Sequence, residues 1–77
     1  MRLPPESRRS VIITAALRVA RDRGLVHVNH STVAERCVTH TSPKTVKHYF
    51  SSRRDLWTGV VEAAPDEFGI QAKELGL

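Results

Sequence analysis

The chain has 77 residues, a mass of 8.6 kDa and a net charge of +4, the size of one small domain and too short to hold a catalytic domain beside a ligand domain. Hydrophobic residues make up 40%, with aromatics limited to Tyr49, Phe50, Trp57 and Phe68, and the single cysteine, Cys37, excludes an internal disulfide framework. No apolar run approaches the roughly 18 residues of a membrane span, and the N-terminus lacks the apolar stretch of a secretion signal, so a soluble, cytoplasmic domain is expected.

Arg9 to Arg23 carries the strongest helical period. Ile12, Ile13, Ala16, Val19 and Ala20 form one apolar stripe, with Arg8, Arg9, Arg18 and Arg21 mostly off it. Pro5 or Ser7 can open this helix, and Gly24 stands where a left-handed C-terminal cap wants glycine. Leu25 to Val28 predicts a short extended crossing. Asn29 then competes with a Thr32–Glu35 pair to cap a second, short helix whose narrow apolar face is Val33, Ala34, Cys37 and Val38. Thr39-His40-Thr41 interrupts the pattern.

Ser42-Pro43 marks a new start, with serine as N-cap and proline at the first helical position. Val46, Tyr49 and Phe50 supply the buried side of this third helix, leaving Lys44, Thr45, Lys47 and His48 outside. Ser52 with Asp55 three residues on caps a fourth helix. Its apolar face is Leu56, Val60, Ala63 and Ala64, with Trp57 and Val61 beside them, and Pro65 stops or kinks it. Phe68, Ala72 and Leu75 keep a helical spacing beyond, weakened by Gly69 and Gly76. Nothing alternates like a strand, so the expected fold is all-α, with four to five short helices.

Charge is segregated along the chain. Residues 1–56 carry eleven Lys/Arg against Glu6, Asp22, Glu35 and Asp55, whereas residues 57–77 carry Lys73 against Glu62, Asp66, Glu67 and Glu74. A basic body with an acidic tail points to a polyanion partner for the first part, with an ordinary solvated surface as the alternative.

Two short helices joined by a polar turn, the second opening with Ser-Pro-Lys-Thr, follow helix-turn-helix grammar. The second helix must present short polar and basic side chains to base edges, while its opposite face locks onto the core. Its N-terminal end, with free amides and a positive dipole, favours phosphate.

Residues 9–62 resemble the DNA-binding domain of the TetR family of bacterial repressors. The family's first-helix pattern is matched by Arg9, Ile12-Ile13, Ala15-Ala16, Val19-Ala20 and Gly24-Leu25. Its Ile-Ala opening of the second helix is matched by Val33-Ala34, and its Thr-aliphatic-Tyr-x-Tyr-Phe-x-x-Lys-x-x-Leu run by Thr45 to Leu56. Two departures stand out. The stretch from Val33 to Phe50 has two more residues than the family pattern, around Thr39-His40-Thr41, without the usual turn glycine; and Lys47 replaces the first tyrosine.

The resemblance implies a TetR or homeodomain-like helix-turn-helix three-helix core over 1–64, followed by a short acidic C-terminal helix or tail over 65–77. It also implies double-stranded DNA as the partner. The family's ligand-binding domain has no counterpart here, so no small-molecule inducer and no cofactor are expected.

Within this frame Lys44, Thr45, Lys47 and His48 are assigned to the major groove, the lysines to guanine edges or phosphates and Thr45 to a phosphate or a thymine methyl. Their ordinary alternative is a wet helix face. Tyr49 combines a packed ring with a hydroxyl that can reach phosphate, pure core being the alternative. Arg53 matches the family's phosphate-binding lysine; Arg54 reads as surface. Ser31, Thr32 and His30 open the second helix and can contact phosphate, against a capping role. Ser42 completes the set. Arg8 and Arg9 either reach the backbone or are solvated.

A monomer reads only a few base pairs and binds weakly, so Trp57, Val61, Phe68 and Leu75 are candidates for a homodimer surface, the alternative being that they close the core. His27-x2-His30 and Cys37-x2-His40 echo zinc pairs, but Cys37 falls on an apolar face as a small buried thiol would, and no metal is expected. No phosphate loop, nucleophile motif or carboxylate cluster is present, and neither His40 nor His48 has an orienting acid, so no enzymatic activity is expected. The chain reads as an autonomous small regulator or as an excised domain of a longer repressor. The rival from another class is a protein-interaction module of the same fold, binding a host or transcription-machinery protein through its acidic tail and apolar end.

Overall fold

Among the described residues, five helices follow one another in the order α1 (Pro5–Arg23), α2 (His30–Arg36), α3 (Pro43–Tyr49), α4 (Arg53–Ala63) and α5 (Pro65–Glu74), with one 3-10 turn, Leu25–His27, between α1 and α2. The computed structural model describes the backbone of residues 5–38 and 40–77 and the side chains of residues 8–38 and 40–77; among these there is no strand. The Ser7 side chain and the whole of Thr39, which the sequence assigned to a cap and to the turn, lie outside the described residues.

The helix starts follow from local side-chain chemistry. Asn29 wins the competition at α2: its side chain accepts from the Thr32 backbone N–H at 3.0 Å, and the Thr32 hydroxyl accepts from the Asn29 N–H at 3.1 Å. Thr32 therefore answers the cap rather than forming it. Ser42 caps α3 by accepting from the Thr45 N–H at 3.2 Å, and Pro43 follows at the first helical position. Ser52 and Asp55 make the reciprocal capping box on α4. Each such cap contributes about 1 kcal/mol, a sizeable share for helices this short.

α1 is the spine of the core. Ile12, Ala15, Ala16, Val19 and Ala20 are buried on one side of it, with Ile13 packed at the edge. Val33 and Ala34 of α2, Val46 of α3, Leu56 and Val60 of α4 and Phe68 and Ala72 of α5 join the same cluster. Full burial of each large side chain contributes about 1.5–3 kcal/mol. The C-terminal stretch is thus a packed helix, fastened also by Arg21 of α1, whose guanidinium donates to both Glu67 carboxylate oxygens at 2.8 and 3.0 Å.

Several sequence expectations change. Leu25 to His27 is a 3-10 turn rather than part of an extended crossing, and Val28 after it is extended; the segment buries Leu25 and Val28 and turns Val26 and His27 outward. The Gln71 side-chain oxygen accepts from the Leu25 N–H at 2.8 Å, which satisfies a donor the turn leaves open. Gly24 has φ 96° and ψ 155°, a conformation essentially reserved for glycine but outside the left-handed helical region expected of a cap. α2 ends at Arg36 because Cys37 turns to an extended conformation, so Val38 leaves the apolar face and is 73% exposed. Ala63 at the end of α4 is exposed; Gly59 takes its place on the buried side.

Of the four residues considered for a dimer surface, Phe68 is 1% exposed and belongs to the core. Trp57, Val61 and Leu75 are half-buried against that core. No helix among the described residues is long and apolar enough to cross a membrane.

Candidate nucleic-acid interface

α3 has seven residues and two unlike sides. Val46 and Phe50 are 0% and 3% exposed, whereas Lys44, Lys47 and His48 are exposed and Thr45 and Tyr49 lie between. The 3.6-residue period alone produces this division, because positions 46 and 50 stack on one side and 44, 47 and 48 fall off it. Neither Lys44 nor Lys47 forms an ion pair among the described residues. The pairs present are Arg21–Glu67 and Arg36–Asp22.

The connection between α2 and α3 runs over 37–42. No described non-glycine residue has a positive φ. A tight turn between two such helices commonly uses a glycine; this chain has none there, and Cys37 and Ser42 at the two ends of the connection are extended. Thr32 is occupied inside α2, its hydroxyl donating to the His27 carbonyl at 2.9 Å, whereas Ser31 is exposed. The Ser42 and Thr45 hydroxyls lie 3.1 Å apart and share a hydrogen bond.

His30 is turned inward to α3 rather than outward. Its Nε2 lies 2.7 Å from the carbonyl oxygen of Phe50, so that nitrogen carries the proton and donates. The bond joins the first turn of α2 to the C-cap residue of α3. Tyr49 packs its ring at the core edge and meets the His48 ring edge-on, with centroids 5.4 Å apart.

Arg53 opens α4 and reaches back to the 3-10 turn. Its guanidinium donates to the Val26 carbonyl at 2.6 Å and lies over the Trp57 ring at 5.2 Å. Trp57 itself donates from Nε1 to the Val28 carbonyl at 3.0 Å. The two side chains grip the same short segment, and Arg53 remains exposed, with more N–H donors than the one that Val26 takes. Arg54 donates to the Gly76 carbonyl at 2.9 Å, so it anchors the end of α5.

Among the described residues, open depressions border α3. One, beneath the α2–α3 connection, is lined by Glu35, Cys37, Val38 and His40. A second is lined by Arg9, His48, Ser51, Asp55 and Glu62, with the Arg9 guanidinium 4.9 Å from the Phe50 ring centroid. The third is lined by Arg8, Lys44, Thr45, His48 and Tyr49. Spacing had left Arg8 and Arg9 undecided. Only the packing of α1 beside α3 brings them to its flanks, and no local pattern signals it.

Burial pushes the Cys37 thiol above its ordinary value, opposed by its contact with Thr41 and the charge of Arg8, so the thiolate is disfavoured. No group of three His, Cys, Asp or Glu side chains able to hold a metal comes together among the described residues.

The chain has no match among models of protein families, curated proteins or solved structures.

Proposed function

We propose that this chain is a small sequence-specific DNA-binding regulator that lays α3 in the major groove and senses no ligand. The observation that carries this reading is the division of α3: Val46 and Phe50 fix it to the core while Lys44, Lys47 and His48 stand exposed and outside any ion pair among the described residues. Exposed cations on a short helix held from behind suit a groove that admits a helix and displays acceptors on guanine. The TetR resemblance of residues 9–62 is part of the same proposal. In this reading Lys47 and His48 approach base edges, Thr45 lies closer to the backbone, and Arg53 contacts a phosphate with the N–H groups that Val26 leaves open.

A salt titration tests the proposal. Log affinity for duplex DNA should fall steeply with log salt, because each neutralised phosphate releases its counterions, and Arg53→Ala should flatten the slope by about one. Duplex binding that is absent, or indifferent to salt, overturns the reading.

A further inference from the structure

The inference rests on the α3 reading above and extends the interface to a second helix. We propose that Arg8 of α1 and Lys44 of α3 together hold one phosphodiester group of the duplex, in the groove they share with Thr45, His48 and Tyr49.

The groove is open and has a volume of about 390 Å³. Two of its walls come from helices that meet only through the fold, α1 and α3. Among the described residues its lining offers a guanidinium, an ammonium, an imidazole and a phenol, and no carboxylate. That donor set matches a phosphodiester: the two unesterified oxygens accept hydrogen bonds and carry one negative charge, which a guanidinium fork and an ammonium can bind from two sides. Among the described residues neither Arg8 nor Lys44 is in an ion pair.

The neighbouring depressions lack this balance. In the one bearing Arg9, Asp55 and Glu62 line the same wall, and the guanidinium is laid over Phe50. Two carboxylates there repel a phosphate. The depression beneath the α2–α3 connection holds Glu35 beside Val38 and Cys37, and no Lys or Arg. Among the described residues, the Arg8 groove is the depression beside α3 that joins cations without an acid.

A contact from α1 has a consequence that α3 alone cannot produce. With one backbone group gripped between two helices, the tilt and depth of α3 in the groove are fixed before any base is read. Phosphate contacts of this kind set register and carry no sequence information. Removing Arg8 should therefore weaken all duplexes alike.

The test uses the full chain, a duplex recovered by selection and a scrambled duplex, with affinity followed by fluorescence anisotropy across salt concentrations. Arg8→Ala should flatten the log–log slope by about one and weaken both duplexes by the same factor, leaving their ratio unchanged. Arg8→Lys should keep the slope, and Arg8→Gln, which keeps most of the stem, should behave as Arg8→Ala. The Arg8→Ala/Lys44→Ala double variant should lose less than the sum of the single losses, because both cations serve one group. A wild-type slope in Arg8→Ala and Arg8→Gln, with Arg53→Ala still flattened, overturns the Arg8 site and leaves the α3 reading standing. A wild-type chain without salt-dependent duplex binding overturns both.

Discussion

The Nε2 of His30, in the first turn of α2, donates to the carbonyl oxygen of Phe50, the residue that closes α3, across 2.7 Å. The bond spans the two ends of the helix pair and fixes how far α3 can rotate on α2. His30→Ala leaves a half-buried carbonyl without this donor, so stability should fall by about 1–2 kcal/mol. Duplex affinity should fall with it while the salt slope stays at the wild-type value, since no phosphate contact is lost. Thermal melting and a salt titration of the same variant check both halves.

α5 is a structural member of the domain. Phe68 and Ala72 sit in the common core, and Glu67 and Gln71 fasten α5 to α1 and to the 3-10 turn. Phe68→Ala should cost about 3–5 kcal/mol, against a total of only several kcal/mol for a chain this short. The variant should be largely unfolded at 37 °C by circular dichroism. Ile70→Ser, on the outer side of α5 where the side chain is 77% exposed, should change stability by no more than about 0.5 kcal/mol.

Arg53 acts in two ways that one substitution separates. Its bond to the Val26 carbonyl and its place over Trp57 are intramolecular, whereas its charge serves the duplex. Arg53→Ala should lower the melting temperature and flatten the salt slope. Arg53→Lys keeps the charge and loses the planar fork, so it should melt early while keeping the wild-type slope.

Acid should weaken the fold through two exposed carboxylates. The Asp55 carboxyl is held below its usual value by the Ser51 hydroxyl first and then by the Ser52 cap, against some desolvation. Glu67 is lowered chiefly by its hydrogen bond from Arg21. Both are lower in the folded than in the unfolded chain, so their stabilisation is present above the ordinary carboxylate range and is lost as pH falls through the folded values. The melting temperature should decline progressively below about pH 4. Asp55→Asn and Glu67→Gln should each give a shallower decline in a pH series of melting curves.

The starts of α3 and α4 were legible because Ser42-Pro43 and Ser52–Asp55 act within one turn of backbone. The outer face of α3 was legible for the same reason: helical period decides it without reference to distant residues. Val38 and Ala63 were misplaced at helix ends, where period stops being a guide and a single extended residue such as Cys37 redirects the chain. The 3-10 turn at Leu25–His27 depends on Gln71, Arg53 and Trp57, all far along the chain, and its three residues alone do not announce it. His30 and Phe50 meet, and Arg8 and Lys44 come to line one groove, only after the helices have packed. No spacing rule links such pairs.

Selection of bound duplexes from a random pool, with the wild-type chain and with Lys47→Ala, tests α3 as the groove reader most directly. The wild type should enrich a short motif, and Lys47→Ala should relax preference at one position or two while other positions persist. Recovery of no motif from the pool, or of one that Lys47→Ala leaves untouched, would contradict the assignment of α3.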